Sequence, residues 1–200
     1  MPMRVASAYR TISSDAVCVI AGMIPICIAL EEDTSCYMQR STRDIRKIIR
    51  AETVTKWQHE WDISENGRWT YQLIPNVTVW TCRKHGEINF YLTQFLSSHG
   101  CFRKYLHRVG HAGSPCCPEC TDMEETPEHV VFDCPRFEAV RSGMVAVSGA
   151  DTTPDNIVQR MCCDENTWNA VNGAIAQIML NLQQKWRDDQ QVRNNERPQN

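Results

Sequence analysis

The sequence lacks an apolar run long enough to cross a bilayer. Its longest, from Ala16 to Leu30, has about 15 residues, where a spanning helix needs about 20. Gly22 and Pro25 interrupt this run. Asp15 at its edge and the missing small-residue cleavage site argue against a signal peptide. We therefore expect two short buried helices here, the second opened by Pro25, with no membrane attachment and no secretion.

Strand patterns and a strong net charge are also scarce. Apart from Val77 to Trp80 there is almost no β signal, which predicts a mainly α fold: an irregular helical domain with little or no β-structure. The net charge is −3, whereas free-standing nucleic-acid binders are usually basic. The charge is uneven, since residues 40–60 carry +3, residues 83–111 carry +4 and residues 117–166 carry −8.

Cysteine, by contrast, is abundant, with eleven residues. A disulfide framework is not predicted, because the number is odd and no signal peptide precedes the cysteines. A reducing compartment, the nucleus or the cytoplasm, is the expected location.

The clearest chemical signal is a group of three cysteines and one histidine within eighteen residues, spaced Cys-x2-Cys-x8-His-x4-Cys. Zinc prefers four ligands in a tetrahedron, and thiolates and imidazole supply them. Four protein ligands leave no open position for a catalytic water, so the metal has a structural role. The sequence therefore predicts a zinc knuckle whose Zn²⁺ ligands are Cys117, Cys120, His129 and Cys134.

Local signals agree with this ligand set. Pro118 fixes the turn between the first two cysteines. Thr126 followed by Pro127 predicts the start of a short helical turn that carries the histidine. Cys116 is an alternative first ligand with a three-residue gap, and we favour Cys117 because Cys-Pro-x-Cys is the better clamp. The competing interpretation is a chance group in a cysteine-rich chain.

Basic residues concentrate upstream of the knuckle. A predicted helix over 31–59 carries one group. Two short helices are predicted between 87 and 109, the first of them stopped by Gly100, and the second carries another basic group. A solvated helix face is the simpler interpretation, and contact with phosphates is the functional one. The candidate nucleic-acid contacts are Arg83, Lys84, Arg103, Lys104 and Arg108, with Arg43, Lys47 and Arg50 as weaker candidates.

Aromatic and apolar patterns divide the rest of the chain. Four tryptophans between 57 and 80 could stack bases, but large rings at irregular spacing are more typical of core packing. Thr153-Pro154 and Asp164 predict the starts of two helices, the last with a long apolar stripe.

The predicted segments are a helical linker (1–62), a Trp-rich basic helical segment (63–112), the zinc knuckle with a packing helix (113–150), C-terminal helices (151–188) and a disordered tail (189–200).

The order of residues around the knuckle resembles a known family. The chain contains Gly67-Arg68-Trp69-Thr70, Leu73-Ile74-Pro75, His85-Gly86-Glu87, Leu92-Thr93-Gln94-Phe95-Leu96, His99-Gly100 and, across the last ligand, Cys134-Pro135-Arg136-Phe137. This order is similar to the C-terminal region of Pol polyproteins from non-LTR (LINE-like) retrotransposons of arthropods, of the clade that inserts into ribosomal RNA genes or a Jockey-like clade. Ser98 stands where that pattern has glycine.

The resemblance implies a parent polyprotein with a reverse transcriptase and an endonuclease, which copies element RNA at a nicked genomic target. This chain shows no catalytic constellation of its own. Its only Asp-Asp, Asp188-Asp189, lies in a polar stretch, and Pro154-Asp155 has no acidic-x-Lys partner. We therefore expect a fragment that follows the polymerase module.

The function implied is binding of element RNA, target DNA or both beside the polymerase and endonuclease modules. The alternative is a structural or protein-interaction module that braces the polymerase. A stand-alone enzyme has no support in the sequence.

Overall fold

The computed structural model describes residues 2–40 and 42–195 of the chain. Those residues form α1 Pro2–Val5, α2 Ser14–Ala21, α3 Ile26–Met38, α4 Arg43–Ile63, α5 Arg68–Leu73, α6 Val77–Thr81, α7 Phe90–Ser97, α8 Arg103–Arg108, a π-helical turn His129–Asp133, a 3₁₀ turn Pro135–Phe137, α9 Glu138–Ser148, α10 Pro154–Cys163 and α11 Glu165–Asn195. They contain no strand, and one isolated antiparallel bridge pairs Cys116 with Glu124. The predicted mainly helical class is confirmed.

Side-chain caps begin several helices where the sequence indicates. The Asp164 carboxylate accepts the Thr167 N–H at 2.7 Å at the start of α11. At the start of α10, the Thr153 N–H donates to Asn156 Oδ1 at 2.9 Å, and Pro154 occupies the first helical position. These caps satisfy N–H groups that lack partners within the helix.

Some helix boundaries differ from the prediction. The segment 31–59 is interrupted between α3 and α4, where Arg40 adopts a positive φ of 43° and the chain folds back. Val77–Thr81 is helical rather than extended, because Asn76 Oδ1 caps it by accepting the Val79 N–H at 2.9 Å. Helix α7 ends at Ser97, and its C-terminal cap is Ser98, which has a left-handed backbone (φ 57°). The cap lies two residues before Gly100, the predicted stop.

The last helix is longer than the sequence suggests. Helix α11 continues through Asn195, into the segment 189–200 for which a disordered tail is predicted. Residues 196–200 lie outside the described residues.

Tryptophans occupy the centre of the core. Trp61 Nε1 donates to Ile74 O at 2.9 Å, and Trp80 Nε1 donates to Ile20 O at 3.2 Å. The Trp80 and Trp168 rings lie 5.8 Å apart, which joins α6 to α11. The core-packing interpretation of the tryptophans is therefore correct.

One buried cluster runs from Ala6 to Leu182 and includes residues of the knuckle segment. Helix α11 packs against α9, α10 and α7, and α10 packs against α5. The predicted knuckle segment is thus built into the same core as the upstream helices. The division into sequence segments stays a prediction.

No single helix among residues 2–40 and 42–195 has the length and apolar character needed to cross a membrane. Helices α2 and α3 reach that length and composition only as a pair, with a bend of 66° between them.

We expect Gly86→Ala to destabilise the fold by at least about 2 kcal/mol. Gly86 has a φ of +80°, and an added Cβ would lie 2.2 Å from the Trp168 ring. The left-handed backbone costs about 1–2 kcal/mol for a residue with a Cβ, and overpacking adds about 1–3 kcal/mol. Gly113→Ala is the control, since nothing lies within 4 Å of its added Cβ. Equal urea midpoints for the two variants would contradict the expectation.

Candidate metal centre

The structure brings the four predicted ligands together. One donor atom from each of four side chains lies within 4.8 Å of the other three, and the four residues are Cys117, Cys120, His129 and Cys134. The Sγ atoms of Cys117 and Cys134 lie 3.8 Å apart. A tetrahedral zinc with Zn–S bonds of about 2.3 Å holds two sulfurs about 3.8 Å apart. The separation of these two thiols therefore fits zinc.

A short hairpin presents the first two thiols. The Cys117 N–H donates to Met123 O at 2.8 Å, and the Met123 N–H donates to Cys120 O at 2.8 Å. Cys116 pairs with Glu124 in the antiparallel bridge. Successive residues of an extended chain point to opposite sides, so Cys117 joins the group and Cys116 lies outside it.

A wide helical turn presents the other two ligands. Thr126 Oγ1 accepts the His129 N–H at 3.1 Å, as expected for the cap of this turn. The Cys134 N–H then donates to His129 O at 2.7 Å, across five residues. Such π-turns are frequent at functional sites. Pro135 follows and ends the turn.

The His129 ring is buried and makes no hydrogen bond with the described residues. His129 is 5% exposed, and neither its Nδ1 nor its Nε2 has a hydrogen-bond partner among the described residues. A buried polar group without a partner is costly, because it loses its contacts with water. Burial also raises the pKa of the Cys134 thiol to about 11. Coordination to a cation would satisfy the imidazole and stabilise the thiolate.

An ion pair beneath the cluster joins its two halves. Glu125, from the hairpin, is 2% exposed and accepts a 2.9 Å bond from Arg136, which follows the last ligand. The Arg136 guanidinium also lies over the Phe137 ring, with its central carbon 4.5 Å from the centroid. The sequence analysis assigned no role to this pair, although Arg136 belongs to the Cys134-Pro135-Arg136-Phe137 stretch that carries the family resemblance.

The same carboxylate connects the cluster to α8. Glu125 Oε1 accepts the Arg103 N–H at 3.1 Å, and Lys104 N–H donates to Glu125 O at 3.3 Å. The Arg103 side chain pairs with Asp189 on α11 at 2.8 Å, and Lys104 pairs with Glu124 at 2.6 Å. Two candidate phosphate contacts are therefore engaged by acidic groups of the chain itself.

The other upstream candidates differ in how far their side chains are exposed to solvent. Arg83 is largely buried over the Trp80 ring, 3.9 Å from its centroid, and donates to Trp80 O. Burial lowers the pKa of this guanidinium. Lys84 is exposed, and Arg108 is exposed above the Tyr105 ring at 5.2 Å. Arg83 thus has a packing role, whereas its neighbour Lys84 faces solvent.

The weaker candidates all lie on α4. Lys47 pairs with Asp44 at 3.1 Å, and Arg50 pairs with Glu32 of α3 at 2.8 Å. Arg43 is exposed and has no ion-pair partner within the described parts of the chain. The eight candidate cations are therefore distributed over α4, the loop after α6, and α8.

These features define a helical protein with a buried Cys₃His group of metal-binding geometry. Comparison with known proteins finds similarity to polyproteins of retrotransposable elements. The chain is 28% identical over 166 residues to the retrovirus-related Pol polyprotein from type-1 retrotransposable element R1 4 of Nasonia vitripennis. It is 32% identical over 114 residues to the corresponding R1 polyprotein of Popillia japonica, and 28% identical over 120 residues to that of Bradysia coprophila.

These similarities cover 74%, 56% and 55% of this chain, respectively. The chain spans less than half of each relative: 42% for N. vitripennis, 44% for P. japonica and 12% for B. coprophila. The predicted resemblance to a segment of a non-LTR retrotransposon Pol polyprotein is confirmed. No family model matches the sequence, and no solved structure matches the fold.

Proposed function

We propose that the chain is a zinc-stabilised nucleic-acid-binding segment of an R1-type Pol polyprotein. It acts beside the reverse transcriptase and endonuclease modules of the parent, in the reducing environment of the nucleus and cytoplasm. The observation that carries the proposal is the buried His129 imidazole, which lies among three thiols and has no hydrogen-bond partner within residues 2–40 and 42–195, in a chain similar to R1 Pol polyproteins. Its ligands are element RNA, target DNA or both.

The charge distribution favours a metal that stabilises the fold and does not itself contact the nucleic acid. The knuckle segment is acidic, and its carboxylates hold α8 through Glu124 and Glu125. Phosphates are repelled by an acidic surface and attracted by exposed cations. Lys84 and Arg108 are the exposed upstream candidates, and Lys104 can exchange its exposed partner Glu124 for a phosphate because surface ion pairs are weak.

A brace for the polymerase module is the second candidate function. The buried Glu125–Arg136 pair and the link from Arg103 to α11 favour it, because they tie the knuckle into the core rather than presenting it to a ligand. A brace requires no affinity for nucleic acid.

Fluorescence anisotropy of the zinc-loaded chain separates these functions. We expect salt-sensitive binding to single-stranded RNA or duplex DNA between about 50 and 200 mM salt. Replacing Lys84, Lys104 and Arg108 together by glutamine should lower the salt slope on single strands by about 2, since each phosphate contact contributes about 0.7. This triple variant keeps Arg103 and its pair with Asp189 intact.

The control for metal dependence is a Cys120→Ser, His129→Ala variant. We expect it to lose zinc and binding together. Absence of binding at low salt by a folded, zinc-loaded chain would reject the nucleic-acid proposal and favour the brace, which a pull-down with the polymerase module would then test.

A further inference from the structure

The strongest concentration of exposed cations lies far along the sequence from the knuckle, at the end of the α3–α4 hairpin. Residues 37–50 carry a net charge of +4 and include a single acidic residue, Asp44. Helix α3 ends there and α4 begins there, so both helices contribute side chains to one tip. We call residues 37–40 and 42–50 the hairpin tip.

The helical register gives the tip a defined basic stripe. On α4 the buried residues recur every four positions: Ile49, Thr53, Trp57 and Trp61. A second set recurs at the spacing i, i+4, i+7, which places it on one face of the helix, and consists of Arg43, Lys47 and Arg50. All three members of the stripe are exposed.

The partners of this stripe leave it available to a ligand. Lys47 and Asp44 are 69% and 87% exposed, so solvent screens their pairing and the pair contributes at most about 1 kcal/mol. Arg50 is 57% exposed and pairs at 2.8 Å with Glu32, whose side chain is 17% exposed, so this pair is better shielded from solvent than the Lys47–Asp44 pair. Arg43 has no ion-pair partner among the described residues. A polyanion can therefore engage Arg43 and Lys47 with little loss of existing contacts, and Arg50 through the guanidinium donors that its single hydrogen bond to Glu32 does not use.

An exposed aromatic ring lies at the same end of the hairpin as the stripe, in the last turn of α3. Tyr37, in the last turn of α3, is 83% exposed, and no ring or hydrogen-bond contact of its side chain occurs within residues 2–40 and 42–195. Met38 next to it is also exposed. Exposed rings beside cations provide stacking surfaces for unpaired bases, a contact that tolerates any base sequence.

The base of the hairpin is packed into the core. Trp57 and Trp61 anchor the C-terminal half of α4 in the core, and α4 also packs against α6. The core therefore fixes the end of the hairpin opposite the tip.

We propose that the hairpin tip is a contact site for single-stranded nucleic acid, with phosphates on Arg43, Lys47 and Arg50 and a base stacked on Tyr37. This inference rests on the proposed nucleic-acid function and adds a site separate from α8 and the knuckle. It also reverses the order of the sequence prediction, in which these cations are the weaker candidates. The charge of the tip matches a phosphate backbone, which is the basis for choosing nucleic acid rather than protein as the occupant.

The test uses the zinc-loaded full chain with fluorescein-labelled oligouridine and oligothymidine of equal length. We expect the Arg43→Gln, Lys47→Gln, Arg50→Gln variant to lose about 2 from the salt slope, from three contacts of about 0.7 each. Tyr37→Ala should weaken binding about fivefold or more, the equivalent of stacking worth at least about 1 kcal/mol. Tyr37→Phe keeps the ring and should bind like the parent chain.

The matched control removes three exposed arginines elsewhere, Arg4, Arg10 and Arg187, and changes the net charge equally. Glutamine preserves helix propensity, and circular dichroism verifies the fold of each variant. If the parent chain binds and the tip variant has the slope of the control variant, the tip site is rejected and the proposed function stands. If the parent chain binds neither probe at low salt, both are rejected. The stronger of the two probes identifies RNA or DNA as the preferred ligand.

Discussion

Removal of zinc from the Cys₃His group is expected to lower the melting temperature of the chain by about 10–20 °C. A metal held by this group would connect the hairpin of Cys117 and Cys120 to the turn of His129 and Cys134. Structural zinc contributes about 10–16 kcal/mol in isolated fingers. For a chain of this size, each kcal/mol of unfolding free energy changes the melting temperature by about 2–4 °C. A loss of only about 5 kcal/mol therefore gives the expected shift.

Calorimetry with and without a chelator, followed by re-addition of zinc, measures the effect. Cobalt substitution gives an independent readout, because a tetrahedral thiolate site has a distinctive absorption spectrum. Cys116→Ser is the matched control for Cys117→Ser, since Cys116 lies outside the ligand group. A chelated chain that melts within about 2 °C of the loaded chain, less than the shift from 1 kcal/mol, would contradict a structural metal.

Replacement of Glu125 by glutamine is expected to destabilise the zinc-loaded chain by about 3–5 kcal/mol. The substitution leaves the Arg136 guanidinium buried without a counter-charge, and this is the usual cost of breaking a buried ion pair. The glutamine oxygen can still accept the Arg103 N–H, so the change isolates the charge. Urea unfolding measures the difference.

Glu124→Gln is the control for this prediction. It removes the neighbouring carboxylate, whose pair with Lys104 is about half exposed and contributes at most about 1 kcal/mol. The double variant Glu125→Gln, Arg136→Gln should be less destabilised than the sum of its single changes, because the two side chains interact directly. If Glu125→Gln and Glu124→Gln unfold at the same urea concentration, Glu125 does not connect the halves of the knuckle.

Local sequence signals predicted the features that depend on neighbouring residues. The helical class follows from apolar spacing, and the helix starts at Thr153 and Asp164 depend on residues within one turn. The ligand group is equally local, since a Cys-Pro-x-Cys turn and a capped turn after Thr126 aim four donors at one point. Spacing therefore suffices for this kind of site.

Long-range packing decided the features that the sequence left open or misplaced. The break at Arg40 lies in a stretch without glycine or proline, and it becomes apparent only when α3 folds back on α4. Val77–Thr81 has β-branched residues typical of a strand, but the cap of Asn76 and burial against Ile20 and Trp168 make it helical.

The roles of the cations also depended on the tertiary structure. Sequence alone located the basic stretches and gave their charge, because charge is a sum over residues. It could not separate Arg83, which covers tryptophan rings, or Arg103, which pairs with a carboxylate 86 positions away, from the exposed stripe on α4. Whether a cation faces water or a partner depends on contacts between distant segments. The sequence therefore determined the helical class and the grouping of three cysteines with one histidine, and only the fold decided which cations face solvent.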